Sequence, residues 1–400
     1  MKVIVTGASG LMSLSALLYL LEQKDVSQII AADIQEDKVK ERVDKLGDKR
    51  LVPKFIDLSD VKSSAEVFKG SDVVVNCAYQ GHTLDKAYPD FELLSTKAAL
   101  EAGVNWIGLG GAPPSAEHLE PALSEAFKRK GLLAILGMGG GTGLVQVLAV
   151  YAIKRLDRTD SVDMYLGYKD VVPPEEHSRP LHQRLTVGAP RAMFTQDSFV
   201  YEKGKLLHFP PRSNLGKFTF GEPIGTLTVA SAGGGAVPML ARSFPEIKHI
   251  DFKHYVESDM KFLAGLGLFS DEPIDVRGQK VSPWAVLQAL LERLPPETKK
   301  APEIHSEVRV SVKGEENKHT VEYDLMVRPS PEGNKKYLEK GCSPGFRTGI
   351  CIGLAGAMVG REQVKEKGVL PPELCIPPDL YLEEFSKAGF EVKINRREIL

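Results

Sequence analysis

At 400 residues the chain is longer than one hydrophobic core usually fills, roughly 250 to 300 residues, so two domains are expected. A hydrophobic share of 42%, a charged share of 26% and a formal net charge of −2 describe an ordinary globular protein, with no field to gather nucleic acid or anionic lipid. The longest apolar stretches, Leu14–Leu21 and Ile350–Val359, fall short of the roughly 18 residues a membrane span needs, and Met1 runs straight into a strand pattern, so no membrane or export signal is read and the expected compartment is the cytoplasm.

Over the first 135 residues short β-branched runs alternate with helical stretches, the pattern of a parallel sheet covered by helices. Strands are predicted at Lys2–Thr6, Gln28–Asp33, Val52–Asp57, Val73–Asn76, Asn105–Leu109 and Leu132–Leu136. Helices are predicted at Met12–Gln23, Glu36–Leu46, Val61–Phe68, Asp90–Ala102 and Glu117–Lys130. Together they make a Rossmann-type, doubly wound sheet.

Between the first strand and the first helix lies Gly7-Ala8-Ser9-Gly10-Leu11-Met12-Ser13, where glycines allow a tight turn and backbone amides meet a pyrophosphate at the helix N-terminus. The acid expected downstream is Asp33, closing the second strand, where its carboxylate can accept both ribose hydroxyls and repel a 2′-phosphate. Ile34, Gln35 and Glu36 follow it, with no Arg or Lys directly after, so NAD is favoured over NADP. Asp33 also suits the cap of the next helix, a role compatible with the first. Ligands lie outside the carboxyl ends of such strands, which places Asp57-Leu58 at the adenine edge and Cys77-Ala78-Tyr79-Gln80 near the nicotinamide ribose.

After Gly137–Gly143 the strands turn alternating and partly polar, as in a sheet with one wet face. The clearest are Val162–Gly167, Ser198–Glu202, Lys205–His208, Ile250–Val256, Ser306–Lys313 and Lys318–Val327, with a hairpin turn read over Lys313–Asn317. The fold class is α/β: a doubly wound parallel sheet plus a second, α+β domain with a mostly antiparallel sheet. Boundaries are expected at 1–138 for the nucleotide domain, 139–342 for the second, and 343–400 for a tail, helical over Ser343–Gly360 and Pro378–Lys387, that packs back on the first. Cys77, Cys342, Cys351 and Cys375 show no CxxC spacing and no companion histidine run, so reduced thiols are expected, with neither a disulfide framework nor a metal site.

The fingerprint also opens short-chain dehydrogenases, but the one Tyr-x-x-x-Lys pair, Tyr201 to Lys205, spans a turn between strands, so its two side chains would not share a helical face. A resemblance covering nearly the whole chain rests on Val73-Val74-Val75-Asn76, on Gly103 to Gly111, on Gly137-Met138-Gly139-Gly140-Gly141-Thr142-Gly143-Leu144, on Ala232 to Gly235 with Leu240 to Pro245, and on Gly368-Val369-Leu370-Pro371-Pro372-Glu373. In these segments, in this order, the chain resembles the saccharopine dehydrogenase-like family, most nearly its lysine 6-dehydrogenases. The resemblance implies hydride transfer between nicotinamide and a carbon bearing nitrogen, a middle domain that binds a small amino-acid or amine substrate, and a homodimer. The glycine runs Gly139–Gly141 and Gly233–Gly235 admit close backbone approach to cofactor or substrate, or tight interdomain packing; Thr142 is read as a donor to the nicotinamide amide and Gly110 as a further cofactor contact. Two positions depart from relatives: Gly108 stands where an Asp is usual, and His254 to Asp259 replaces an Arg-rich segment containing Gly-His.

Amine oxidation needs a proton acceptor, and an amino-acid substrate needs a cation for its carboxylate. Tyr168 to Arg184 resembles the family's substrate loop and offers His177 or His182 as base, and Tyr168, Arg179 and Arg184 as substrate contacts; Glu257 is a further acid candidate. Three functions stay open: an NAD-dependent lysine-type dehydrogenase, an NADPH-dependent reductase like saccharopine or carboxynorspermidine dehydrogenase, and a dinucleotide sensor without turnover.

Overall fold

A computed structural model describes residues 1–78, 91–110, 123–172, 194–256, 258–293 and 303–399. The first sheet is built from β1 (Lys2–Thr6), β2 (Gln28–Asp33), β3 (Leu51–Phe55), β4 (Val73–Asn76), β5 (Asn105–Gly108), β6 (Leu133–Ile135) and β17 (Gly368–Leu370), in the order β17-β6-β5-β4-β1-β2-β3 and parallel throughout. Its inner strands are apolar on both sides because both faces are covered, whereas the edge strand β3 is largely exposed. Val3, Val5, Val73, Val75 and Ile107 pack with α1 (Leu11–Glu22) and α10 (Arg347–Gly360), while Ile4, Val74, Trp106 and Ala134 pack with α3 (Val61–Phe68) and α4 (Phe91–Ala102).

The second sheet runs β10 (Gly216–Thr219), β11 (Thr226–Ser231), β12 (His249–Tyr255), β7 (Arg158–Asp170), β15 (Ile304–Glu316), β16 (His319–Pro329), β18 (Phe390–Glu398), with the β8 (Ser198–Glu202) and β9 (Lys205–Phe209) hairpin attached to β12. It is antiparallel except where β12 meets β7. One face carries Val162, Met164, Leu166, Ile250, Phe252, Val308 and Val310, all in the same apolar cluster as α1 and α10. Its other face is wet, and Arg309 and Asp324 pair across it at 2.8 Å. Helix α5 (Leu144–Ile153) packs on the inner face of the second sheet, against β7 and β15. Apolar nearly all round, α5 has no amphipathic period, and the sequence reading passes over it.

Three local expectations shift. The hairpin turn is the two-residue Asn317-Lys318, both at positive φ, because Glu316 pairs with His319; Gly314, read as turn, instead marks a bulge where β15 slips against β7. Strand β18 is not predicted, since its Lys and Arg residues mask the alternation, as suits an edge. Consequently the chain after 343 divides: α10 packs on α1 and β17 joins the first sheet, whereas β18 joins the second. Tyr201 and Lys205 fall on β8 and β9, either side of a tight turn. Among the described residues no helix is long and apolar enough to cross a membrane, and no group of three His, Cys, Asp or Glu could hold a metal ion.

Candidate functional site

The loop after β1 is shaped by Gly7. Its φ is +66°, and a Cβ there would fall 2.5 Å from the Ala78 nitrogen, so the segment after β4 lies directly on it. Thr6 Oγ1 donates to Asn76 Oδ1 at 2.5 Å and the Cys77 amide to the Thr6 carbonyl at 3.1 Å, locking the two strand ends together. Helix α1 then starts at Gly10 with no side-chain cap and no acid in its first turn. The amides of Leu11, Met12 and Ser13 open a helix end that no intrahelical carbonyl can satisfy, a donor set suited to an anion.

Asp33 sits beside this loop. Its Oδ2 accepts the Ser9 amide at 3.0 Å and the Ser9 hydroxyl at 2.9 Å, and its Oδ1 accepts the Gln35 amide at 2.9 Å. With about four acceptor positions on a carboxylate, three are taken and room remains for one ribose hydroxyl rather than both. Arg42, which the sequence reading did not consider, reaches over the loop from α2 (Glu36–Leu46). Its Nη1 donates to the Ala8 carbonyl at 2.5 Å, the Gly10 carbonyl at 2.7 Å and Ser13 Oγ at 3.0 Å. Burial lowers its pKa and the nearby Asp33 carboxylate opposes that shift, so a cation does stand by this acid although none follows it directly in sequence.

The other cofactor candidates vary in exposure. Leu11 and Ile34 are exposed, Leu58 is buried, and Asp57 Oδ1 accepts the Ser59 amide and hydroxyl. Cys77 is buried and its thiol is pushed up to about 12 by that burial, which keeps it protonated. The Gly110 amide donates to Glu92 Oε1 at 2.6 Å. Gln80, His177, Arg179, His182, Arg184 and Glu257 lie outside the described residues.

A second constellation forms where the inner face of the second sheet meets the 137–143 crossover. There Gly143, at φ +106°, lets its own backbone pass so close that a Cβ would lie 2.6 Å from the Gly137 carbonyl. Arg347, at the head of α10 and 1% exposed, donates to the Gly140 carbonyl at 3.2 Å, Ser306 Oγ at 3.1 Å and the Tyr168 hydroxyl at 2.9 Å. All three acceptors are neutral, so among the described residues this buried guanidinium has no carboxylate partner. His254 of β12 stands opposite Leu166 of β7, 7% exposed, and among the described residues neither ring nitrogen has a hydrogen-bond partner. Burial first, and then the charges of Arg212 and Arg347, bring its pKa down to about 3 and keep it neutral. Tyr168 and Tyr255 close the side of the group with ring centroids 5.5 Å apart.

Of the predicted substrate contacts, only Tyr168 can be placed. Arg347 and Ser306 beside it, and His254 and Arg212 further along the same group, come from four separate segments, and only the departure at His254 signalled any of them in the sequence.

Residues 3–135 match the family model described as saccharopine dehydrogenase NADP binding domain, and residues 139–390 match saccharopine dehydrogenase C-terminal domain. The chain is 23% identical to a carboxynorspermidine synthase of Vibrio alginolyticus over 88% of this chain and 84% of that one. It is also 23% identical to a carboxyaminopropylagmatine dehydrogenase of Synechocystis, over 97% and 96%. In fold it is similar to the apo saccharopine dehydrogenase (L-Glu forming) of Saccharomyces cerevisiae, with a TM-score of 0.70, 14% identity and full coverage of both chains.

Proposed function

The chain belongs to the saccharopine dehydrogenase family, and from that premise we propose that it transfers a hydride at the C–N bond of a carboxylated amine, using NAD in preference to NADP. The observation that carries this reading is Arg347, a buried cation whose three bonds all go to neutral acceptors. A charge taken out of water without a counter-ion is costly, and a substrate carboxylate would supply one. The names of the two relatives, both carboxylated amines, point the same way. Lysine-type oxidative deamination, also a reaction of a carboxylated amine, is the second reading.

The residues present fit a dinucleotide: the uncapped head of α1 would hold its pyrophosphate and Asp33 a ribose hydroxyl. The dinucleotide, when bound, supplies or takes up the hydride. In the oxidative direction the amine carbon loses hydride and its nitrogen a proton, leaving a C=N bond that water opens to a carbonyl and an amine. Arg347 anchors the carboxylate, and the Tyr168 hydroxyl, accepting from Arg347, keeps its own proton to donate. His254, neutral and unpartnered, offers one nitrogen as acceptor and the other as donor to the reacting end. A carboxylate arriving at Arg347 would offset one of the charges that depress His254, raising its proton affinity as substrate binds. His177, His182 and Glu257 are further proposed proton acceptors, with Arg179 and Arg184 as further carboxylate contacts.

The test is a panel of carboxynorspermidine, saccharopine, lysine and uncarboxylated norspermidine, followed by the absorbance of the reduced nicotinamide with NAD and with NADP. Turnover restricted to carboxylated amines is expected. Equal turnover of norspermidine would remove the role given to Arg347, and tight dinucleotide binding without any turnover would leave a sensor.

A further inference from the structure

The run Gly368-Val369-Leu370-Pro371-Pro372-Glu373 carries β17 into the short helix α11 (Pro372–Cys375), and its last residue is a carboxyl 3% exposed and remote in sequence from the two side chains that bond it. Glu373 Oε2 accepts the Gln146 side-chain amide at 2.6 Å, and Gln146 Oε1 in turn accepts the backbone amide of Gly143 at 2.8 Å. That amide belongs to the glycine crossover whose Gly140 carbonyl holds Arg347. The other oxygen, Oε1, accepts the Ser243 hydroxyl at 3.0 Å. Ser243 ends α6 (Ala236–Ser243), the helix that begins directly after Gly233-Gly234-Gly235. The two glycine segments meet: a Cβ on Gly234 would lie 3.8 Å from Thr142 Oγ1.

We propose that Glu373 is a positioning residue, whose buried carboxyl ties the 137–143 crossover to α6 and, through that helix, to the 233–235 loop, and so sets how closely Gly234 approaches Thr142. The inference rests on the reading of Thr142 as a neighbour of the dinucleotide. A buried carboxyl with both oxygens hydrogen-bonded has one low-energy placement, so it transmits position where an apolar contact would only fill space. Both bonds reach neutral side chains from other elements, α5 and α6; the charged or titratable groups around it are Arg242 on α6, which lowers its pKa through space, and Cys375 on its own helix. Burial outweighs these and lifts the carboxyl to about 7, so a proton is held readily. Protonated, it can donate to Ser243 while still accepting from Gln146, which is the pattern a glutamine would present.

The test is fluorescence titration of the full chain with NADH and NADPH, with steady-state turnover beside it. Glu373→Gln, which preserves both bonds, should bind within about twofold of the parent, whereas Glu373→Ala should bind about tenfold more weakly and lose kcat more than KM rises. Ser243→Ala cuts one arm at a half-buried position and should give an intermediate loss, which keeps the test open if Glu373→Ala unfolds. Glutamine failing as badly as alanine, or a folded Glu373→Ala and Ser243→Ala both binding like the parent, would overturn the proposal. Binding is read without any amine, so a wrong substrate assignment leaves this outcome intact; a parent chain that binds neither dinucleotide removes both readings.

Discussion

Around Gly7–Ser13 the polar side chains are committed to the protein itself: Ser9 to Asp33, and Arg42 to two loop carbonyls and Ser13. At the inner face of the second sheet they are not: among the described residues the ring nitrogens of His254 have no hydrogen-bond partner and Arg347 has only neutral ones. The first region holds its ligand with backbone amides, so its side chains can complete the loop beforehand. Under the proposed function the second would recognise its substrate by charge and hydrogen bonding, and would leave those capacities open at a cost in stability.

The largest effect that could break this contrast is expected from Gly7→Val. A side chain placed on the Ala78 backbone at positive φ should weaken NADH binding by about 100-fold or more, read by fluorescence titration. Binding that survives would show that the loop is not where the dinucleotide lies. Next is Arg347→Met, expected to lower kcat/KM for a carboxylated amine about 50-fold, far more than it weakens NADH binding through the lost Gly140 bond, since hydrogen bonds to a charged group contribute roughly 1.5 to 3 kcal/mol. An equal loss of dinucleotide affinity in that variant would merge the two regions into one.

Asp33→Ser sharpens the first region. It removes the charge facing a 2′-phosphate and leaves Arg42 unopposed, so preference should move toward NADPH by about tenfold, measured as the ratio of the two dissociation constants. An unchanged ratio would reduce Asp33 to a brace for Ser9 and Gln35.

The smallest effect belongs to His254. Its pKa is about 3 in the folded chain against an ordinary 6.5, so the unfolded chain binds more protons and stability falls as pH drops from about 6.5 toward 3. His254→Leu should flatten that decline and raise the melting temperature by about 2 °C at neutral pH, while lowering turnover. A variant that melts lower and still turns over would make His254 an ordinary core residue.

The first sheet was readable in the sequence because each element is a local pattern: β1, β2 and β4, with α2 and α3, fall at their predicted bounds. The glycine loop and Asp33 were readable for the same reason, a few residues at fixed offsets from a strand. Arg42 was not, because only the pitch of α2 turns a residue nine positions after Asp33 back over the loop. The tail shows the limit from the other side. Its motif through Glu373 was visible in the sequence, yet nothing local says that its carboxyl reaches Gln146, 227 residues earlier. The sequence by itself determined the two kinds of sheet, the dinucleotide fingerprint and the family, all written in short-range periodicity and spacing. Only the tertiary structure decided that Tyr168, His254, Ser306 and Arg347 gather on the inner face of the second sheet, because the pairing of β12, β7 and β15 and the packing of α10 against them join segments far apart in sequence, and burial there keeps His254 neutral while Arg347, among the described residues, bonds only to neutral groups.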